Sequence, residues 1–130
     1  MTPASLDLAD VPGELRPAAS AALRAAGVLE GHLSVELVAP DRIRELNREH
    51  RGRDEPTDVL SFPIDGVEGM AGPRELGDVV ICAEQAADLR RATVHGVLHL
   101  CGYDHEADAG EMLALEHAVI EALGPSDDRR

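Results

Sequence analysis

The stretch GDVVICAEQAADLRRATVHGVLHLCG, residues 77–102, decides the fold. Gly77 to Cys82 is a short β-rich run, and the pattern from Ala83 to Cys101 is helical until Gly102 stops it. Toward the N terminus, Leu33, Val35 and Leu37 alternate with His32, Ser34 and Glu36, so His32 to Ala39 reads as a half-buried strand. Glu14 to Ala26 reads as a helix ended by Gly27, with Pro17 in its first turn. Asp41 is placed to cap a short helix whose Ile43 and Leu46 share a face and which runs out near His50 and Gly52. Val59 to Phe62 is a second β-rich run, followed by a long loop with Pro63, Gly66, Gly69, Gly72 and Pro73. A last helix is expected from about Asp108 to Leu123. Helices and strands alternate, which gives an α/β (α+β) class with a small mixed sheet packed with helices.

A chain of 130 residues holds one domain of ordinary size. The expected domain is 1–130, with about 1–12 and 125–130 loosely ordered. One Phe, one Tyr and no Trp leave a core of Leu, Val, Ile and Ala. Met1 to Pro12 carries neither a basic leader nor an apolar run, and about 18 consecutive apolar residues occur nowhere, so a soluble, cytoplasmic protein with no membrane partner is expected. Cys82 and Cys101 form no CxxC pair and read as buried free thiols rather than a disulfide framework.

The net charge of −13 excludes binding to nucleic acid through a general field, because most of the surface repels phosphate. Any RNA contact must be local. All 12 basic residues are arginines, and five of them, Arg42, Arg44, Arg48, Arg51 and Arg53, fall in one stretch with only Glu45 and Glu49 as acids, locally about +3. A solvated helix face with paired charges has the same composition.

Chemistry concentrates in the eleven residues His95-Gly96-Val97-Leu98-His99-Leu100-Cys101-Gly102-Tyr103-Asp104-His105, which hold three of the six histidines. Residues four apart stack on one helix face, so His95 and His99 can share an ion at the end of this central helix. Gly102 falls where a helix ends through a left-handed residue, and the reversal brings His105 back toward the same ion. Three neutral imidazoles with a position left open make a catalytic zinc site, whereas structural zinc is usually closed by four protein ligands. Cys101, two residues past His99, points to the other side of the helix. The spacing resembles the metzincin motif except at Gly96, where a metallopeptidase carries the glutamate that activates water toward a peptide. Met112, which could serve as a Met-turn residue, reads as core packing.

The same segment, with Gly96 and the ending Gly102-Tyr103-Asp104-His105, resembles the signature of the YbeY family of bacterial endoribonucleases. Two further blocks are similar to that family: Leu46-Asn47 leading to Arg51 and then Pro56-Thr57-Asp58-Val59-Leu60-Ser61-Phe62-Pro63, and Leu76-Gly77-Asp78-Val79-Val80-Ile81. The resemblance implies a single-domain α/β fold, one zinc ion on His95, His99 and His105, and Arg51 as a functional, catalytic arginine in the cleft. It implies single-strand-specific, zinc-dependent endoribonuclease activity in ribosomal RNA maturation and ribosome quality control. The implied partners are single-stranded ribosomal RNA and the ribosome or its small-subunit proteins. Two departures bear on substrate preference rather than chemistry. Only twelve residues separate Cys82 from His95, fewer than the family usually has, and His50 stands where the family tends to have an aromatic residue.

Such an ion polarises a phosphate oxygen and supplies a nucleophile near neutral pH, while Arg51 would grip the phosphate with its planar fork. The attacking group is then either hydroxide or the RNA 2′-hydroxyl. Asp104 is a candidate acceptor that orients a ligand histidine, and equally a turn residue; Asp58 and Asp78 carry the same two readings. The rivals are a non-catalytic, metal-containing ribosome-assembly factor and a minimal metallopeptidase, the latter disfavoured by Gly96.

Overall fold

A computed structural model describes residues 6–64, 75–103 and 108–124. Four strands, β1 (Leu6–Asp10), β2 (Gly31–Leu37), β3 (Val59–Pro63) and β4 (Glu75–Ile81), form one sheet in the order β1-β2-β4-β3. β1, β2 and β4 run parallel, and β3 pairs antiparallel with β4, so the sheet is mixed as expected. The described residues also form four α-helices, α1 (Arg16–Ala25), α2 (Pro40–Arg51), α3 (Leu89–Leu100) and α4 (Glu111–Leu123).

Successive strand residues point to opposite faces, and β4 buries both. Val79 and Ile81 join Leu33 and Val35 beneath α1, α3 and α4 in the main aliphatic core. Val80 and Cys82 face the other way and pack with Leu60 and with Ile43 of α2. α3 and α2 therefore lie on opposite faces of the same two strands.

Four elements differ from the sequence reading. Residues 6–10, expected to be loose, form β1; a short edge strand with only Leu6 and Leu8 as large apolar residues has little local signal. Distant groups hold it: it pairs with β2 from Leu6↔Gly31 to Asp10↔Ser34, and the Arg16 guanidinium donates to the carbonyls of Leu8 and Val11, both at 3.0 Å. α3 begins at Leu89 rather than Ala83, because the Asp88 carboxylate accepts the Arg91 N–H and caps it, while residues after Cys82 form a turn. α2 begins with Pro40 after Ala39 at the N-cap, so Asp41 lies in the first turn and makes no capping hydrogen bond. The last helix starts at Glu111, with Asp108 accepting the N–H groups of Gly110 and Met112 just ahead of it. The loop expected around Gly66, Gly69, Gly72 and Pro73, and the tail 125–130, lie outside the described residues.

Candidate active site

The site is built on α3. Ala92, Thr93, Val94, Gly96, Val97, Leu98 and Leu100 are buried, and the partly exposed stripe that remains runs through Arg91, His95 and His99 at four-residue spacing. The two imidazoles lie edge to face with ring centroids 4.8 Å apart. This is the pairing that the spacing predicts.

Gly96 sets how closely this helix approaches the sheet. A Cβ there would stand 2.6 Å from Val79 Cγ1 and 2.8 Å from Val59 Cγ2, so even alanine would force the packing apart at a cost of about 1–3 kcal/mol. The Ser61 hydroxyl on β3 donates to the Gly96 carbonyl at 2.7 Å. The metallopeptidase glutamate is thus excluded for a reason beyond chemistry: position 96 points into the sheet.

α3 ends as its glycine predicts. Gly102 has φ +102, its N–H donates to the His99 carbonyl, and the Tyr103 N–H reaches back to Leu98. This pattern turns the chain back after the second histidine. Asp104 and His105 lie outside the described residues. Among the described residues no three His, Cys, Asp or Glu side chains gather as a metal cage, so the described part of the expected ligand set is His95 with His99. Met112 is fully buried in the main core, as expected, whereas Cys101, expected to be buried, is only partly so and packs at the margin of that core.

A cleft of about 950 Å³ opens between α3 and β3. His95, His99, Gly102 and Tyr103 line one side, and Thr57 to Pro63 with His50 and Arg51 of α2 line the other. Arg51 is the last residue of α2, and the left-handed Gly52 follows. It makes no ion pair with any described residue. Its neighbours differ: Arg42 pairs with Glu45, and Arg44 pairs with Asp54 at 2.8 Å. The Arg44 partnership holds the Asp54 carboxyl below its ordinary range, chiefly through their hydrogen bond. Asp54, one residue past the basic stretch, thereby offsets part of its excess charge. Asn47, buried on α2, donates to the Glu55 carbonyl at 2.8 Å and ties the loop that delivers Thr57 and Asp58 to the cleft wall. Asp58 lines the cleft, whereas Asp78 is exposed on β4. His50 sits 4.8 Å from the Phe62 ring, edge to face, so this imidazole takes part in an aromatic contact at the place noted as a departure.

One residue escaped the sequence reading. Glu116 of α4 is 5% exposed, and its two oxygens meet His95 Nδ1 at 2.6 Å and Arg91 Nη1 at 2.9 Å. The carboxylate against His95 among the described residues is therefore Glu116, eleven residues beyond the end of the motif at His105. A signal was present. The buried residues of α4 are Met112, Glu116 and Val119, so an acid occupies a position on an apolar stripe.

A family model described as endoribonuclease YbeY matches residues 10–124. An endoribonuclease YbeY of Anaeromyxobacter sp. (strain Fw109-5) is 46% identical over 124 residues, a match that covers 85% of this chain and 64% of that protein. Another, from Alkalilimnicola ehrlichii, is 43% identical over 127 residues and the match covers 85% and 76%. This chain spans only part of either relative's length. The solution structure of TM1509 from Thermotoga maritima superposes with a TM-score of 0.52 at 28% identity, covering 97% of this chain and 95% of that one. Family model, relatives and fold agree: the chain belongs to the endoribonuclease YbeY family.

Proposed function

We propose that the protein is a single-strand-specific, zinc-dependent endoribonuclease that acts in ribosomal RNA maturation and ribosome quality control in the cytoplasm. The observation that carries the reading is the sharing of one cleft by His95, His99 and Arg51. His95, His99 and His105 would hold one zinc ion, with His95 binding through Nε2 because Nδ1 faces Glu116. Bound there, zinc supplies Lewis-acid activation of the scissile phosphate and of the attacking group.

The chain's own residues do the rest. Arg51 meets a phosphate with two parallel N–H donors and offsets the charge that builds during displacement. The only Phe and the only Tyr of the chain, Phe62 and Tyr103, both line the cleft. In so aromatic-poor a protein, that placement supports stacking on unpaired bases, which a duplex would keep to itself. A net charge of −13 favours recognition confined to this cleft. Among the described residues, no helix is long and apolar enough to cross a membrane.

The test is cleavage of a defined single-stranded RNA, alongside its duplex, by purified protein with and without chelator. Loss of cleavage on chelation, recovery with added zinc, and no cleavage of the duplex are expected. Cleavage that survives complete metal removal would overturn the metal-dependent reading, and a folded, zinc-loaded protein without nuclease activity would favour an assembly-factor role.

A further inference from the structure

We infer that Glu116 is a positioning residue that fixes the His95 ring for metal binding, and that Arg91 in turn fixes Glu116. The inference rests on the zinc reading above and deepens it. Its footing is geometric. Arg91 and His95 are one helical turn apart on α3, and the Glu116 carboxylate arrives from α4 between them, with one oxygen 2.9 Å from Arg91 Nη1 and the other 2.6 Å from His95 Nδ1. A carboxylate gripped at both oxygens cannot rotate. Facing a hydrogen-bond acceptor, Nδ1 carries the ring proton, and the lone pair needed by a metal is on Nε2.

A purely structural role fits less well. Burial of a carboxylate is costly, and an apolar side chain of similar size commonly holds two helices together as well or better. Met112 and Val119, on the same stripe of α4, already do that. Arg91 is 43% exposed on its side chain while Glu116 is 6% exposed, so the arginine reaches in from the surface to meet the acid. The arrangement costs packing energy and yields ring orientation.

The two roles separate experimentally in the full chain. The Glu116→Leu variant fills the volume and removes the acceptor; its metal-free thermal stability should stay near wild type while zinc affinity, read by competition with a chromophoric chelator, falls about 10–100-fold. The Glu116→Gln variant keeps an oxygen for the Nδ1 proton and should lose less, and Arg91→Met less again. A second readout needs no zinc: nitrogen chemical shifts of His95 in the metal-free protein should report the Nδ1–H tautomer in wild type and in Glu116→Gln, and a mixture in Glu116→Leu. Should Glu116→Leu fail to fold, the glutamine and Arg91 variants carry the same ranking. Wild-type zinc affinity in Glu116→Leu and Glu116→Gln, in a protein whose His95→Ala variant has lost zinc, would overturn the positioning role and leave the zinc site standing. Equal zinc binding by wild type and His95→Ala would instead sink the zinc site, and this inference with it.

Discussion

Two histidines of this protein make the same contact and put it to different use. His32, near the start of β2, has Nε2 2.6 Å from Asp10 of β1 and Nδ1 3.1 Å from Glu75 of β4, and those partners are 64% and 49% exposed on their side chains. His95, on α3, has Nδ1 2.6 Å from a glutamate that is 6% exposed. Distance does not distinguish the two contacts; water does. Where solvent reaches the carboxylates, they compete with water for the imidazole and the contact fastens neighbouring strands by a small margin. Where the carboxylate is buried and held by Arg91, the ring has one orientation and its second nitrogen is committed in advance. In the proposed reading, the difference separates a histidine that serves the fold from one that serves the site.

The sharpest way to break the comparison is to remove a ring from each. His99→Ala should abolish stoichiometric zinc in elemental analysis and lower RNA cleavage by on the order of a thousandfold or more, with the fold retained. His32→Gln should leave both at wild-type levels, because His32 does not line the cleft. Cys101→Ser should also keep its zinc. Zinc loss on changing His32 or Cys101 would show that the ligand set has been drawn around the wrong residues.

Arg51 comes next in size. Arg51→Ala should lower the cleavage rate about a hundredfold, the effect of removing one donor to a transition state, with zinc content and melting temperature unchanged. Lysine at 51 keeps the charge without the planar fork and should restore activity only in part. The structure sharpens this contrast within α2. Arg42 and Arg44 already have acidic partners, so alanine there should weaken RNA binding modestly and leave the cleavage step alone. Full activity in Arg51→Ala would return that residue to the solvated helix face.

What the sequence revealed follows the range of the forces involved. The His95/His99 pairing and the reversal at Gly102 are local, fixed by 3.6-residue periodicity and one left-handed residue, and both are visible in eleven letters. β4 was visible through its second half, where Val79 to Cys82 is a continuous apolar run buried on both faces. β1 was not, because two leucines are too few to announce a strand, and what holds it is Arg16, His32 and the edge of β2. Gly96 was read as a missing base, and only the approach of Val59 and Val79 shows why no larger side chain fits there. Glu116 belongs to the same class. Its partners come from another helix, and in the sequence it is one of 25 acids.

The smallest expected effect is at His32, and its sign can be worked out. The Asp10 hydrogen bond is the largest influence on the ring and raises its pKa above the ordinary 6.5; desolvation opposes it, and Glu75 adds to it. A histidine that binds its proton more tightly folded than unfolded stabilises the fold fully below about pH 6.5, and that contribution is lost as pH rises through the raised folded value. Both carboxylates are well exposed, so solvent screening keeps the contribution below about 1 kcal/mol. Thermal melts of wild type and His32→Gln across this range should therefore converge as pH increases, with wild type the more stable only on the acid side. High salt should narrow the acid-side gap, because screening reaches this exposed cluster. A constant gap at every pH would mean that His32 holds β1 by packing and neutral hydrogen bonds alone, and the contrast between the two histidines would then rest on Glu116 and its burial.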